Sequence, residues 1–180
     1  VEDLSLHILD IAENALAAGA TRIAIQIVEE TGADRLTLEI ADNGRGMNPA
    51  EAARARDPFY TTRTTRRVGL GLPLLDAAAR AAGGTLELHS RPGEGTRVVA
   101  TFQLSHVDRK PLGKMGDTIA ALIAARPEVD LSYRHVRDGQ SIHFDTTDVR
   151  RRLGGEPLNA AAILRFIRDY VTQEEESITP

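Results

Sequence analysis

Asp10 and Asn14 stand four residues apart in LSLHILDIAENAL, and on a helix that spacing puts both side chains on one face. The amide oxygen of Asn14 suits a hard cation such as Mg2+, which takes few protein ligands and keeps several waters. A carboxylate one turn earlier, at Asp10, could orient or deprotonate a water. Glu13 points about a third of a turn away and is the less natural base. A second set lies in ADNGRGM, where Asp42 precedes Gly44, Gly46 and Met47 at the end of an alternating apolar run. D-N-G is a common turn signal, and paired glycines also let a ligand approach the backbone closely. A third set, in DPFYTTRTTRRVGLGL, interleaves threonines with Arg63, Arg66 and Arg67 before Gly69-Leu70-Gly71. Arginines pair bidentately with phosphate oxygens, and a helix N-terminus offers unsatisfied N–H groups to an anion. Each set alone is equally a solvated helix face, a surface turn or a basic loop. Their order allows all three to converge on one triphosphate.

Elements must position these residues. Leu4, Ile8, Leu9, Ile11, Ala12, Ala15 and Leu16 recur at helical spacing, predicting a helix over 4–18 that Gly19 ends. TRIAIQIVEE and RLTLEIAD alternate across a short T-G-A-D link and read as a hairpin. Asn48, Pro49 and Glu51 spell a capped helix start, running to about Arg56 and stopping before Pro58. Residues 57–69 read as a loop and GLPLLDAAARAA as a second core helix. TLELHS and TRVVATFQLS are two further strands across an R-P-G-E-G turn. The expected fold is α/β: a two-layer sandwich of helices on a mostly antiparallel sheet.

A boundary is expected near 105–113, giving a first domain over 1–105. The remainder, 106–180, is an α+β extension of unassigned role, either packed on the first domain or separate. Its pattern predicts helix 115–125, strands 131–136 and 140–145, and helices near 147–153 and 159–171. An acidic tail, 172–180, is expected to fray.

Composition narrows the chemistry. The chain has 180 residues, 42% of them hydrophobic, and a net charge of −4. That balance gives no support to a nucleic-acid footprint. The absence of cysteine excludes disulfides, thiolate catalysis and Cys-ligated metals. No run approaches the roughly 18 apolar residues of a membrane span, and a cytoplasmic protein is the plain expectation. Of the five histidines, His7 lies one turn before Asp10 and could reach the rim of a pocket there. His135 and His143 fall on one hairpin and could approach each other, but a metal site would need a third ligand that is not apparent.

The stretches DIAENALAAGA, ADNGRGM, DPFYTTR, VGLGLPL and GEGTRVVATFQL, in this order, resemble the boxes of the GHKL superfamily of ATP-binding domains, which includes histidine-kinase catalytic domains, gyrase, Hsp90 and the mismatch-repair ATPases. The resemblance covers roughly residues 4–105. It implies ATP and Mg2+ as ligands, with Asn14 holding the cation and Asp10 as the catalytic residue, at a position where several branches carry glutamate. Asp42 would accept from the adenine amine, with Gly44, Gly46 and Met47 around the base and Thr96 supporting that end. Phe59, Thr62, Arg63, Arg66 and Arg67 belong to the loop that would cover the nucleotide. Gly69, Leu70, Gly71 and Leu72 would approach the phosphates.

ENALAAGATRI is similar to mismatch-repair ATPases, while DPFYTTR with GLGLPL is similar to histidine kinases of the nitrogen-regulation type. The first box starts within ten residues of the start, so no phosphoacceptor domain is expected ahead of it. LSLHILDIAENAL and QLSHVDRKPLGKMGDT also resemble small stand-alone ATP-binding proteins encoded beside NADH-linked iron-only hydrogenases. These resemblances imply transfer of the γ-phosphoryl group to a protein in trans, either a hydrogenase-associated or a phosphoacceptor protein. A slow ATPase switch and a non-catalytic ATP sensor stay open beside it.

Overall fold

The structure, a computed structural model, describes residues 3–59 and 70–180. Helix α1 (Leu4–Ala17) starts at Asp3, whose side chain accepts from the backbone of Leu6, and buries Leu4, Ile8, Ile11, Ala12 and Ala15. Strands β1 (Arg22–Glu30) and β2 (Arg35–Asp42) form the expected antiparallel hairpin, in register from Ile23 opposite Asp42 to Glu30 opposite Arg35. The capping box predicted before α2 (Pro49–Ala55) is present: Asn48 accepts from the Glu51 backbone, and Glu51 accepts from that of Asn48. Helix α3 (Gly71–Ala81) then leads to the hairpin of β3 (Leu86–Arg91) and β4 (Gly95–Gln103).

Beyond it come α4 (Met115–Ala125), β5 (Asp130–Arg137), β6 (Gln140–Asp145), α5 (Thr146–Leu153) and α6 (Ala161–Ile178). The six strands form one sheet in the order β3-β4-β2-β1-β5-β6. Every pairing is antiparallel except β1 with β5, which run parallel from Arg22 beside Asp130 to Glu29 beside Arg137. Alternation along the strands sends Ile23, Ile25 and Ile27, Leu36, Leu38 and Ile40, and Val98, Ala100 and Phe102 to one buried side. The helices cover that face, which gives the two-layer α/β sandwich expected from the sequence. Among the described residues no helix is long and apolar enough to cross a membrane.

Two expectations need correction. The acidic stretch 172–180 does not fray: α6 continues to Ile178, which is buried. Glu175 explains why, since it accepts from His135 at 2.9 Å and from the hydroxyl of Tyr133. His135 is also bonded to Glu29 at 2.6 Å, and Arg137 reaches the same carboxylate at 2.7 Å. Nor do His135 and His143 approach each other. His135 stands opposite Ile142 and His143 opposite Arg134, so the two rings leave opposite faces of the hairpin.

The ion cluster around His135 ties three distant segments together. Burial alone would lower its pKa, but hydrogen bonds to Glu175 and Glu29, with their charges, outweigh it and raise the pKa to about 9. A charge held only 3% exposed persists because both ring nitrogens are satisfied by carboxylates. Its stabilisation is fully present below the unfolded value of 6.5 and is lost as pH rises through about 9. We expect the melting temperature to fall between pH 7 and pH 10, and by a smaller amount in Glu175→Gln, as measured by circular dichroism. Equal alkaline losses in the two proteins would dismiss the ion cluster as the cause.

Candidate nucleotide-binding site

Four backbone segments meet where β2 ends. Asp42, the last residue of β2, faces Thr96 at the start of β4. Its carboxylate accepts from the backbone of Gly44 at 2.7 Å, which bends the chain into the D-N-G turn. Asn43 fixes that turn to the loop after α1, accepting from the backbones of Thr21 at 2.8 Å and Arg22 at 2.9 Å. Arg45 donates its backbone N–H to Ala18 at 2.9 Å.

Gly46 is where this path becomes tight. Its φ is 71°, and a Cβ there would lie 1.9 Å from the carbonyl oxygen of Arg91. The next residue, Met47, donates its backbone N–H to Ser90 Oγ at 2.9 Å, and that hydroxyl lies 2.8 Å from Thr96 Oγ1. Turn, β3 and β4 are thus bonded through one serine.

Another glycine comes in from a different direction. Gly71 opens α3, and a Cβ there would stand 3.3 Å from Asn14 Nδ2 and 3.6 Å from Asp10 Cβ. Among the described residues no side chain caps this helix start, and it sits beside the face of α1 that carries Asp10 and Asn14. Arg56 braces the neighbourhood, donating to the carbonyl of Leu86 at 3.1 Å and lying 3.6 Å from Asp76 of α3.

A cavity of about 250 Å3 opens between these parts. Asn14, Asp42, Gly46, Met47, Leu72 and Thr96 all line it, with Ile11 and Val98 giving it an apolar wall. Polar groups therefore converge from α1, from the turn, and from β4 on an apolar hollow, the usual make-up of a small-molecule site. Burial pushes the Asp42 carboxyl up from its ordinary value, against the N–H groups of Gly44 and Thr96 that favour its charge. A desolvated carboxylate at the end of a hollow discriminates sharply between a ligand that donates to it and one that does not.

The other predicted residues divide. Gly44 is buried and shapes the turn without lining the hollow, and Asp10 flanks Gly71 without lining it. Leu70 is 40% exposed at the N-cap of α3, and Phe59 is 91% exposed and outside the lining. Thr62, Arg63, Arg66, Arg67 and Gly69 lie outside the described residues. His7 is not at a rim: it is buried, burial lowers its pKa, and its Nδ1 has no hydrogen-bond partner among the described residues. Ser90 was missed. Counting outward from the R-P-G-E-G turn would have placed it opposite Thr96, as the register does.

Comparison with known proteins shows what the chain is similar to. Residues 1–106 match the family described as histidine kinase-, DNA gyrase B-, and HSP90-like ATPase. The sensor protein kinase FleS of Pseudomonas aeruginosa is 44% identical over 105 residues, covering 58% of this chain and 25% of that protein. The C4-dicarboxylate transport sensor protein DctB of the same organism is 37% identical over 102 residues, covering 56% and 16%. The chain thus spans a quarter or less of these relatives. Among solved structures, the N-terminal domain of a DNA repair protein superposes with a TM-score of 0.57 at 17% identity, over 79% of this chain and 52% of that one. At that identity the likeness is one of fold.

The contact at Gly46 yields a direct test. Gly46→Ala must relieve both a left-handed φ and an overlap with backbone, for which no side chain can give way. We expect a loss of more than about 2 kcal/mol in denaturant unfolding. A loss below about 0.5 kcal/mol, within the range of a neutral surface change, would show that the turn is not held against Arg91.

Proposed function

This chain belongs to the family of histidine kinase-, DNA gyrase B-, and HSP90-like ATPases, an ATP-binding family, and on that premise we propose that it transfers the γ-phosphoryl group of ATP to a partner protein. The observation that carries this reading is the approach of Gly71 to Asn14 at one side of a hollow whose other side is Asp42. We read that span as an adenine end at Asp42 and a phosphate end at Gly71, with the triphosphate running towards α3 and α1.

In this reading Asp42 accepts from the exocyclic amine of adenine, and Gly46 and Met47 hold the base against backbone. The start of α3 faces the phosphates, where Gly71 leaves room that a side chain would take. Arg63, Arg66 and Arg67 are assigned to the phosphates on sequence alone. Among the described residues no group of three or more His, Cys, Asp or Glu could hold a metal ion. In this reading Asn14 would hold Mg2+ through its amide oxygen, and the ion would supply charge neutralisation at the phosphates.

The acceptor nucleophile forms a bond to the γ-phosphorus, and the bond from phosphorus to the β–γ bridging oxygen breaks, releasing ADP. Asp10 is the group assigned to receive the acceptor's proton. The sequence resemblance to proteins encoded beside iron-only hydrogenases makes a hydrogenase subunit the first acceptor to try. A second reading, an ATP-responsive binder with little turnover, is favoured by one observation: Asp10 does not line the hollow.

Calorimetric titration with ATP and Mg2+, with GTP as control, tests the pocket. We expect adenine-selective binding, weakened in Asp42→Asn by roughly 10- to 100-fold, since a buried acceptor is exchanged for a group that also donates. Equal binding of ATP and GTP to the wild type would remove Asp42 from its role. Label from γ-labelled ATP appearing on an added acceptor supports transfer, whereas tight binding without label or phosphate release favours the second reading.

A further inference from the structure

The edge of the sheet farthest from β3 carries a surface that the nucleotide cavity does not use. Among the described residues β6 ends the strand order and pairs only with β5, so one side of Gln140–Asp145 offers backbone N–H and C=O groups without a neighbouring strand among them. Natural edges are usually blunted by lysine, proline or a covering element; β6, with the sequence QSIHFD, has neither residue.

Beside this edge a groove of about 530 Å3 runs between α5 and α6, lined by Phe144, Val149, Leu153 and Ile163 among others. Phe166, 63% exposed, and Tyr170, 37% exposed, also line it, their rings stacked with centroids 6.2 Å apart. A stacked, exposed aromatic pair next to an apolar hollow is the anatomy of a protein interface. The charges at the groove have both signs. Asp148 and Arg152 line it one helical turn apart, both exposed. Asp148 lies 3.1 Å from Arg151, while Arg152 has no ionic partner among the described residues.

A projection, a hollow and opposite charges on one patch make that patch its own complement, which is the requirement of a two-fold contact. A wholly acidic or wholly basic partner would meet like charge at one end. We infer that the β6 edge and the α5–α6 groove bind a second copy of this chain. β6 pairs antiparallel with its counterpart, the Phe166–Tyr170 pair of each copy fills the groove of the other, and Arg152 of one copy meets Asp148 of the other. The sheet then runs unbroken through both copies. The nucleotide hollows, built on β2 and β4, sit away from the axis and stay open to partners. This inference is independent of the nucleotide reading.

Sedimentation equilibrium of the 180-residue chain, at concentrations up to about 100 μM, tests it. The expected mass is twice the 19.5 kDa of one copy. Phe166→Asp should weaken the dimer at least about 30-fold, as loss of a central aromatic anchor does. Arg152→Asp should weaken it as well, and adding Asp148→Arg should restore it. These positions are exposed, and circular dichroism of each variant checks that folding is retained; should Phe166→Asp not fold, the charge pair decides alone. A wild type that stays monomeric throughout overturns the inference. So does a dimer indifferent to both Phe166→Asp and the charge exchange.

Discussion

The site depends on backbone meeting backbone where β2 ends. Gly46 leaves the turn against the carbonyl of Arg91, and Gly95, with φ of 85°, lies so near β2 that a Cβ would fall 2.0 Å from the carbonyl oxygen of Asp42. Two chain segments can come this close only without Cβ atoms between them. Everything at the Asp42 end of the hollow follows from that approach. It brings Thr96 beside Asp42, puts Ser90 within reach of Met47, and leaves Asp42 desolvated at the edge of an apolar hollow.

The opposite half of the molecule is held by a different kind of force. Glu29, His135 and Glu175 come from β1, β5 and α6, and each ring nitrogen of His135 faces a carboxylate. Glu29 feels burial, which raises its pKa, yet its bonds to His135 and the nearby Arg137 bring the net value down. Such a cluster gains little over an apolar core in energy, but removing one member strands a buried charge. It therefore fixes where the end of α6 lies.

What could be read from the sequence was local. The capping box at Asn48, the helix of Asp10 and Asn14, and the D-N-G turn all announce themselves within a few residues, because caps, periodicity and turn chemistry act over that range. Asn14, Asp42, Gly46, Met47 and Thr96, which line one hollow, were legible for the same reason, as members of short boxes. Ser90 belongs to no such box and acts only through its cross-strand neighbour. The helical continuation through Glu175 was hidden because its partner, His135, is 40 residues away in the chain. An acidic run with no visible counter-charge reads as solvated. The facing of His135 and His143 depended on strand register, which composition does not reveal.

The parallel pairing of β1 with β5 has a consequence for how the molecule comes into being. The two strands are joined by an ion pair whose residues are 106 apart in the chain, whereas β1 and β2 meet across a short turn. During synthesis the first four strands can assemble while the far side of β1 still lacks its neighbour. Ile23, Ile25 and Ile27 then belong to an open border of the sheet. Contacts of such long sequence separation form late, since loop-closure entropy must be met first. The C-terminal third thus serves as the chain's own edge protection, arriving after the strand it must cover and competing until then with any other extended chain that finds the same row of hydrogen-bonding groups.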